Sequence, residues 1–184
     1  MKKTLLTIFF ILVSLFLFGC GTGRITTLDR EENEAIIIAN VQIINGNKSL
    51  DNKWNFLLDE RLVGNLSVWP DEQNYIYMKV PIGKHFISLL QYYPYSRTLP
   101  DNYLSINIKE NKIYYIGDIK FYWNIDENND RIAGGLLGAI SDSEKDGDSI
   151  KVEINDNYDN TVKYFNAKFL NNQNIEKELL LINK

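Results

Sequence analysis

One cysteine and one histidine stand in the 184 residues, and these two scarcities narrow the chemistry most. A single thiol cannot close an intramolecular disulfide, so stability has to come from packing. A single histidine, His85, removes every two-histidine metal site and makes any serine-histidine-aspartate arrangement depend on that one residue. The sequence also lacks a Gly-x-Ser-x-Gly elbow, a phosphate-binding glycine loop and a dinucleotide fingerprint. Basic residues are not in excess, with 20 Lys and Arg against 24 Asp and Glu and a formal charge of -4. Without a basic stripe, the phosphate-neutralising attraction that drives nucleic-acid binding is missing, and that class of partner is excluded. Beyond residue 18 no apolar run approaches the roughly 20 residues that cross a bilayer as a helix.

What is present begins with a leader. Lys2 and Lys3 precede fifteen uncharged residues, Thr4 to Phe18, and the segment closes on Leu17-Phe18-Gly19-Cys20. This is the charged, apolar and small-residue succession of a secretory signal. It resembles the lipobox of bacterial lipoproteins, with Phe18 where a small or β-branched residue is usual. The resemblance implies removal of residues 1–19, a diacylglyceryl thioether on Cys20, palmitate-type acylation and membrane attachment through lipid. Gly21 stands where some Gram-negative lipoproteins carry an inner-membrane aspartate, which points to the outer membrane. Loss of two lysines and no acid moves the mature charge from -4 to -6.

Residues 20–34 are polar and glycine-bearing, without an apolar period, and read as a lipidated, flexible tether. From Ala35 the apolar residues alternate with period two, the mark of a half-buried strand. The first series is Ala35, Ile37, Ala39, Val41 and Ile43. Trp54, Phe56 and Leu58 follow, then Leu66 and Val68, then Ile76, Met78 and Val80. The later series are Leu104, Ile106 and Ile108; Ile113, Tyr115, Ile119 and Phe121; and Ile150, Val152 and Ile154. Turn residues punctuate them at Asp59-Glu60-Arg61, Pro81-Ile82-Gly83-Lys84 and Glu110-Asn111-Lys112. Residues 35–184 are therefore expected to form one mainly β domain, an antiparallel sandwich with Ile37, Val41, Trp54, Phe56, Ile76, Met78, Ile106 and Tyr115 facing inward. Val162, Phe165 and Phe169 predict a short C-terminal helix behind Asp159 as cap. Residues 175–182 fit helix or strand.

Two stretches carry a family likeness: Phe56-Leu57-Leu58-Asp59-Glu60-Arg61-Leu62-Val63-Gly64 and Val80-Pro81-Ile82-Gly83-Lys84-His85-Phe86-Ile87-Ser88-Leu89. With Lys112-Ile113-Tyr114-Tyr115-Ile116-Gly117-Asp118 they resemble PEGA-like domains, β-sandwiches related in shape to the carboxypeptidase regulatory domain and found in bacterial lipoproteins. Glu60-Arg61 replaces the usual glycine turn, and the Pro-Glu-Gly-Ala motif is missing. The resemblance implies a non-catalytic sandwich on the cell envelope and carries over no catalytic residue.

Four groups invite chemistry. His85, entering a strand just past a glycine turn, reads as a corner histidine bonded to the turn backbone and not as a general base. Asp142, Glu144, Asp146, Asp148 and Glu153 follow the spacing of a calcium loop, but Glu144 is longer than the usual Asp or Asn and residues 149–154 read as strand; the expectation is a solvated acidic loop with no metal. The glycine-rich run Ile132 to Ile140 is too short to span a membrane. Tyr92, Tyr93, Tyr95 and Tyr103 form a candidate aromatic platform for a ligand, against the alternative of core packing. The resulting expectation is an envelope lipoprotein, not an enzyme and without a cofactor, binding a protein or glycan partner. The alternative is a calcium-dependent binding protein or an envelope enzyme without a recognisable motif.

Overall fold

The computed structural model describes residues 24–59, 66–125, 131–132 and 150–183. Among these residues thirteen strands and one helix follow in order: β1 Glu34–Asn45, β2 Lys48–Ser49, β3 Trp54–Leu58, β4 Leu66–Val68, β5 Tyr75–Pro81, β6 Gly83–Tyr92, β7 Tyr95–Thr98, β8 Leu104–Ile108, β9 Ile113–Tyr122, β10 Arg131–Ile132, β11 Lys151–Asn155, α1 Tyr158–Phe169, β12 Ile175–Lys177 and β13 Leu181–Ile182. The protein is mainly β. One sheet runs β11-β9-β1 with β5 on the far side of β1; the other runs β10-β7-β6-β3-β4, extended through β8 and β13. A common apolar core takes residues from both sheets, among them Ile37, Val41, Trp54, Phe56, Ile76, Met78, Ile106, Phe121 and Trp123. Among the described residues no helix is long and apolar enough to cross a membrane.

Most pairings are antiparallel, but the central one is not. β1 and β9 run parallel, from Ile36 opposite Ile113 to Ile44 opposite Tyr122. Parallel neighbours need a long crossover, and here the chain supplies one by building the second sheet between them. β12 also lies parallel on β9, so the expectation of an antiparallel sandwich is corrected to two antiparallel-rich sheets, the first of which has a parallel centre.

One extra residue in β9 decides which residues face which layer. Ile38 opposes Tyr115 and Asn40 opposes Asp118, so β1 advances two residues while β9 advances three. Gly117 sits in this bulge at φ 114°, a backbone region that side-chain-bearing residues avoid, and a Cβ there would fall 2.7 Å from Ile154 Cγ2. Below the bulge, Tyr114 and Ile116 point into the common core; above it, Ile119 and Phe121 do. Tyr115, expected to face inward with Ile119 and Phe121, packs instead on the outer side with Ile36, Ile38, Tyr77, Ile113 and Phe165. Strict alternation cannot register a shift of phase by one residue.

α1 covers that outer patch. Thr161 and Phe165 are buried, Asp159 lies in the first turn and Lys168 in the last, so both charges complement the helix dipole. Asp159 is not the cap: the Tyr158 N–H donates to Asp156 Oδ1 at 3.3 Å. The helix stops at Leu170, left-handed at φ 50°, beyond which the Asn171 N–H donates to the Asn166 carbonyl at 3.2 Å. Within residues 175–182, Ile175–Lys177 and Leu181–Ile182 are strand. They join both sheets, Ile175 buried under the helix and Leu180 in the common core.

Residues 25–33, expected as part of a flexible tether, lie against the fold. Ile25 and Leu28 pack on the outer apolar cluster, and the Ile25 N–H donates to the Tyr77 carbonyl at 3.2 Å. Arg30 donates to Asn111 Oδ1 at 2.7 Å and to Gln173 Oε1 at 3.0 Å. Apolar Ile25 and Leu28, set among polar neighbours at no regular period, gave no sign of this in the sequence.

Candidate functional site

Cys20, Asp142, Glu144, Asp146 and Asp148 lie outside the described residues, as does most of the glycine-rich run. Glu153 is described, and its carboxylate is already occupied: Oε2 accepts from the Tyr122 hydroxyl at 2.7 Å and Oε1 pairs with Lys151 at 2.8 Å. Among the described residues no group of three or more acidic, cysteine or histidine side chains is placed to hold a metal. The four tyrosines do not share one exposed surface. Tyr92, Tyr95 and Tyr103 are half-buried against the common core, whereas Tyr93, at the β6–β7 turn, is 81% exposed.

His85 is buried at the corner where the chain passes from β5 to β6, and both ring nitrogens are used. Nδ1 donates to Asp59 Oδ2 at 2.7 Å and Nε2 donates to the Pro81 carbonyl at 2.7 Å. Both partners are acceptor oxygens, so the two contacts are filled together only by the doubly protonated ring. Burial alone would push its pKa down, but the bonds from Asp59 and Pro81 outweigh burial and raise it. Asp59 also accepts the Phe86 N–H at 3.2 Å through Oδ1, and returns its own N–H to the Phe86 carbonyl at 2.8 Å. A ring held this way has no lone pair with which to take a proton or bind a metal.

The open polar site is elsewhere, on the outer face of the first sheet beyond the reach of α1. Along β1 the outward residues change from Ile36 and Ile38 to Asn40 and Gln42. Along β9 they change from Ile113 and Tyr115 to Asp118 and Lys120. A cleft of about 340 Å³ opens there, lined by Asn40, Gln42, Tyr75, Asp118, Lys120 and Asn157 together with Ile119. Register sets the rows: Asn40 stands beside Asp118 on β9 and Tyr75 on β5, and Gln42 beside Lys120, which faces Glu153 on β11.

Two aspartates hold the helix against this cleft. Asp118 accepts from Tyr115 at 3.1 Å and Thr161 at 3.0 Å through Oδ1, and from Asn157 Nδ2 at 2.9 Å through Oδ2. Asp71, buried at the β4–β5 connection, accepts the N–H groups of Gln73 and Tyr75 at 2.9 and 3.0 Å. Its other oxygen takes the Tyr164 hydroxyl at 2.5 Å, the Tyr77 hydroxyl at 3.3 Å and Lys168 at 3.1 Å. Burial would raise the Asp71 pKa, but the donors from Tyr164, Tyr75 and Lys168 together hold it below the usual carboxylate range.

With both aspartates engaged, the cleft's unspent groups are neutral or cationic. Among the described residues, neither the Gln42 amide, the Tyr75 hydroxyl nor the Lys120 ammonium is hydrogen-bonded to a protein group. Tyr75 is stacked on Tyr164 at 4.0 Å and 12°, which fixes its ring. Burial, then the charges of Asp118 and Asp71, raise its pKa and keep the hydroxyl a donor. None of these residues was singled out from the sequence, although the switch from Ile to Asn and Gln at alternate β1 positions marks where cover on the outer face ends.

No family model matches the chain, and no curated protein is similar to it. A solved structure of a DUF3823 family protein from Parabacteroides merdae is similar over 49% of this chain and 46% of its own, at 9% identity and TM-score 0.29. This chain thus spans under half the length of that neighbour.

Proposed function

We propose that the chain is a cell-envelope lipoprotein, held by lipid on Cys20, whose sandwich-like domain of PEGA-like character binds an envelope glycan without catalysis. The leader ending at Cys20 supports the anchor, and Gly21 after it supports an outer-membrane address. The observation that carries the binding role is the cleft on the outer sheet face, which the Gln42 amide, Tyr75 hydroxyl and Lys120 ammonium line with no hydrogen-bond partner among the described residues. Amide and hydroxyl groups match sugar hydroxyls and N-acetyl groups, and an ammonium matches a sugar carboxylate. A protein-binding surface would more readily carry a buried aromatic or aliphatic anchor, and this cleft is polar.

The reading is tested with full-length processed protein in detergent, titrated with muramyl dipeptide as acidic probe and chitotetraose as neutral probe, with binding followed by calorimetry. Binding of the acidic probe is expected to weaken about tenfold, near 1.4 kcal/mol, in Lys120→Ala and in Gln42→Ala. Absence of binding by both probes, together with a reproducible protein crosslinked from intact envelopes, would replace the glycan by a protein partner. Metabolic labelling with a palmitate analogue tests the anchor separately: label on wild type and none on Cys20→Ala is expected, and an unlabelled wild type overturns it.

A further inference from the structure

The described residues begin at one edge of the first sheet, and two large apolar side chains on neighbouring elements, Trp69 and Leu170, are exposed. The Ile25 N–H donates to the Tyr77 carbonyl on β5 at 3.2 Å. The Tyr77 ring meets Phe169 edge-on at 5.1 Å, and the next residue, Leu170, is 85% exposed. Leu170 carries two costs at once, a left-handed backbone at φ 50° that glycine would adopt without strain and an apolar side chain in water. Trp69, two residues before Asp71, is 38% exposed, and Asp71 grips both Tyr77 and Lys168 beside it.

Resting on the lipidation of Cys20, chain length then fixes what can lie opposite this edge. Five residue steps separate Cys20 from Ile25, a reach on the order of 18 Å when fully extended. A bilayer holding the acyl chains of Cys20 is therefore within that reach of Ile25, which is bonded to Tyr77 on β5, the residue whose ring meets Phe169 at the end of α1. We propose that Leu170 and Trp69, with exposed Arg24, form a membrane-docking rim that seats in the headgroup region and orients the domain on its anchor. The mature charge of -6 opposes attraction to anionic lipid, so the contact is apolar; the anchor supplies retention and the rim supplies orientation. A tryptophan and a leucine at the interface plane, with an arginine reaching past them, suit that layer.

The experiment uses full-length lipidated protein in phosphatidylethanolamine–phosphatidylglycerol vesicles, with ordinary or brominated acyl chains, and reads tryptophan emission. Trp54 and Trp123 are buried, so Trp69 is the tryptophan that lipid can reach. Bromine is expected to remove up to about one third of the emission of the three tryptophans. The loss should halve in Leu170→Glu and vanish in Trp69→Phe, with thermal melts unchanged. The intact mass reads lipidation independently. Lipidated, vesicle-bound protein whose emission bromine does not change overturns the rim and leaves the anchor standing; unlipidated protein that does not float with vesicles overturns both. Dimers in sedimentation that Leu170→Glu disperses, without quenching, assign the face to a second copy and also overturn the rim.

Discussion

Asp59 and His85 show how the one imidazole in the chain is committed to structure. The carboxylate, at φ 65°, ends β3 and reaches the corner between the sheets, where it bonds the ring and the Phe86 N–H together. Because the folded pKa of His85 is raised, its contribution to stability is fully present below the unfolded value near 6.5 and is lost as pH rises through the folded value. Asp59→Asn keeps a residue that tolerates the left-handed backbone and removes the charge. It is expected to cost about 1.5–3 kcal/mol at pH 5.5 and clearly less at pH 9, read by urea unfolding. The single imidazole resonance should titrate at lower pH in the variant; an unmoved titration would contradict the assignment.

At the scale of the element, α1 is a helix whose beginning and end come from different sources. Its start is set by Asp156 and by Asp118 holding Asn157 and Thr161. Its end is a left-handed leucine in a position glycine occupies at lower cost. Leu170→Gly should therefore stabilise the fold by about 0.5–1 kcal/mol, a rise of roughly 2 °C in the melting midpoint. The same change should weaken bromine quenching of Trp69 in vesicles. A more stable protein that docks less well separates a residue kept for a surface from one kept for the fold.

The whole molecule is two sheets around one core, with α1 and the entering chain as a partial third layer. Asp71 joins that layer to the sheet. Its depressed pKa means that its contribution is present above the unfolded value near 3.9 and is lost as pH falls through the folded value. Asp71→Asn should destabilise the protein by about 1.5–3 kcal/mol at pH 7, the gap between variant and wild type closing on acidification toward pH 3, as followed by denaturant midpoints at each pH. A gap independent of pH would mean that the carboxylate acts through shape alone.

The sequence by itself determined what depends on local order. Alternation along β1, β3 and β5 placed Ile37, Val41, Trp54, Phe56, Ile76 and Met78 in the core, and the turn at Pro81–Gly83 was legible because glycine and proline act on their own backbone. The spacing of Val162, Phe165 and Phe169 marked α1 for the same reason. Tertiary structure alone decided what depends on distant chain. The parallel register of β1 on β9 arises from a crossover through a whole second sheet, and the bulge at Gly117 shifts the phase of β9 by one residue, moving Tyr115 to the other face. The destination of His85 was half legible: the Pro81 carbonyl lies four residues away, but Asp59 lies 26 residues away. The cleft needed more still. Asn40, Gln42, Tyr75, Asp118, Lys120 and Asn157 come from three strands and the start of a helix, and only the pairing of those strands, with α1 stopping short of the sheet's end, leaves their polar groups side by side and uncovered.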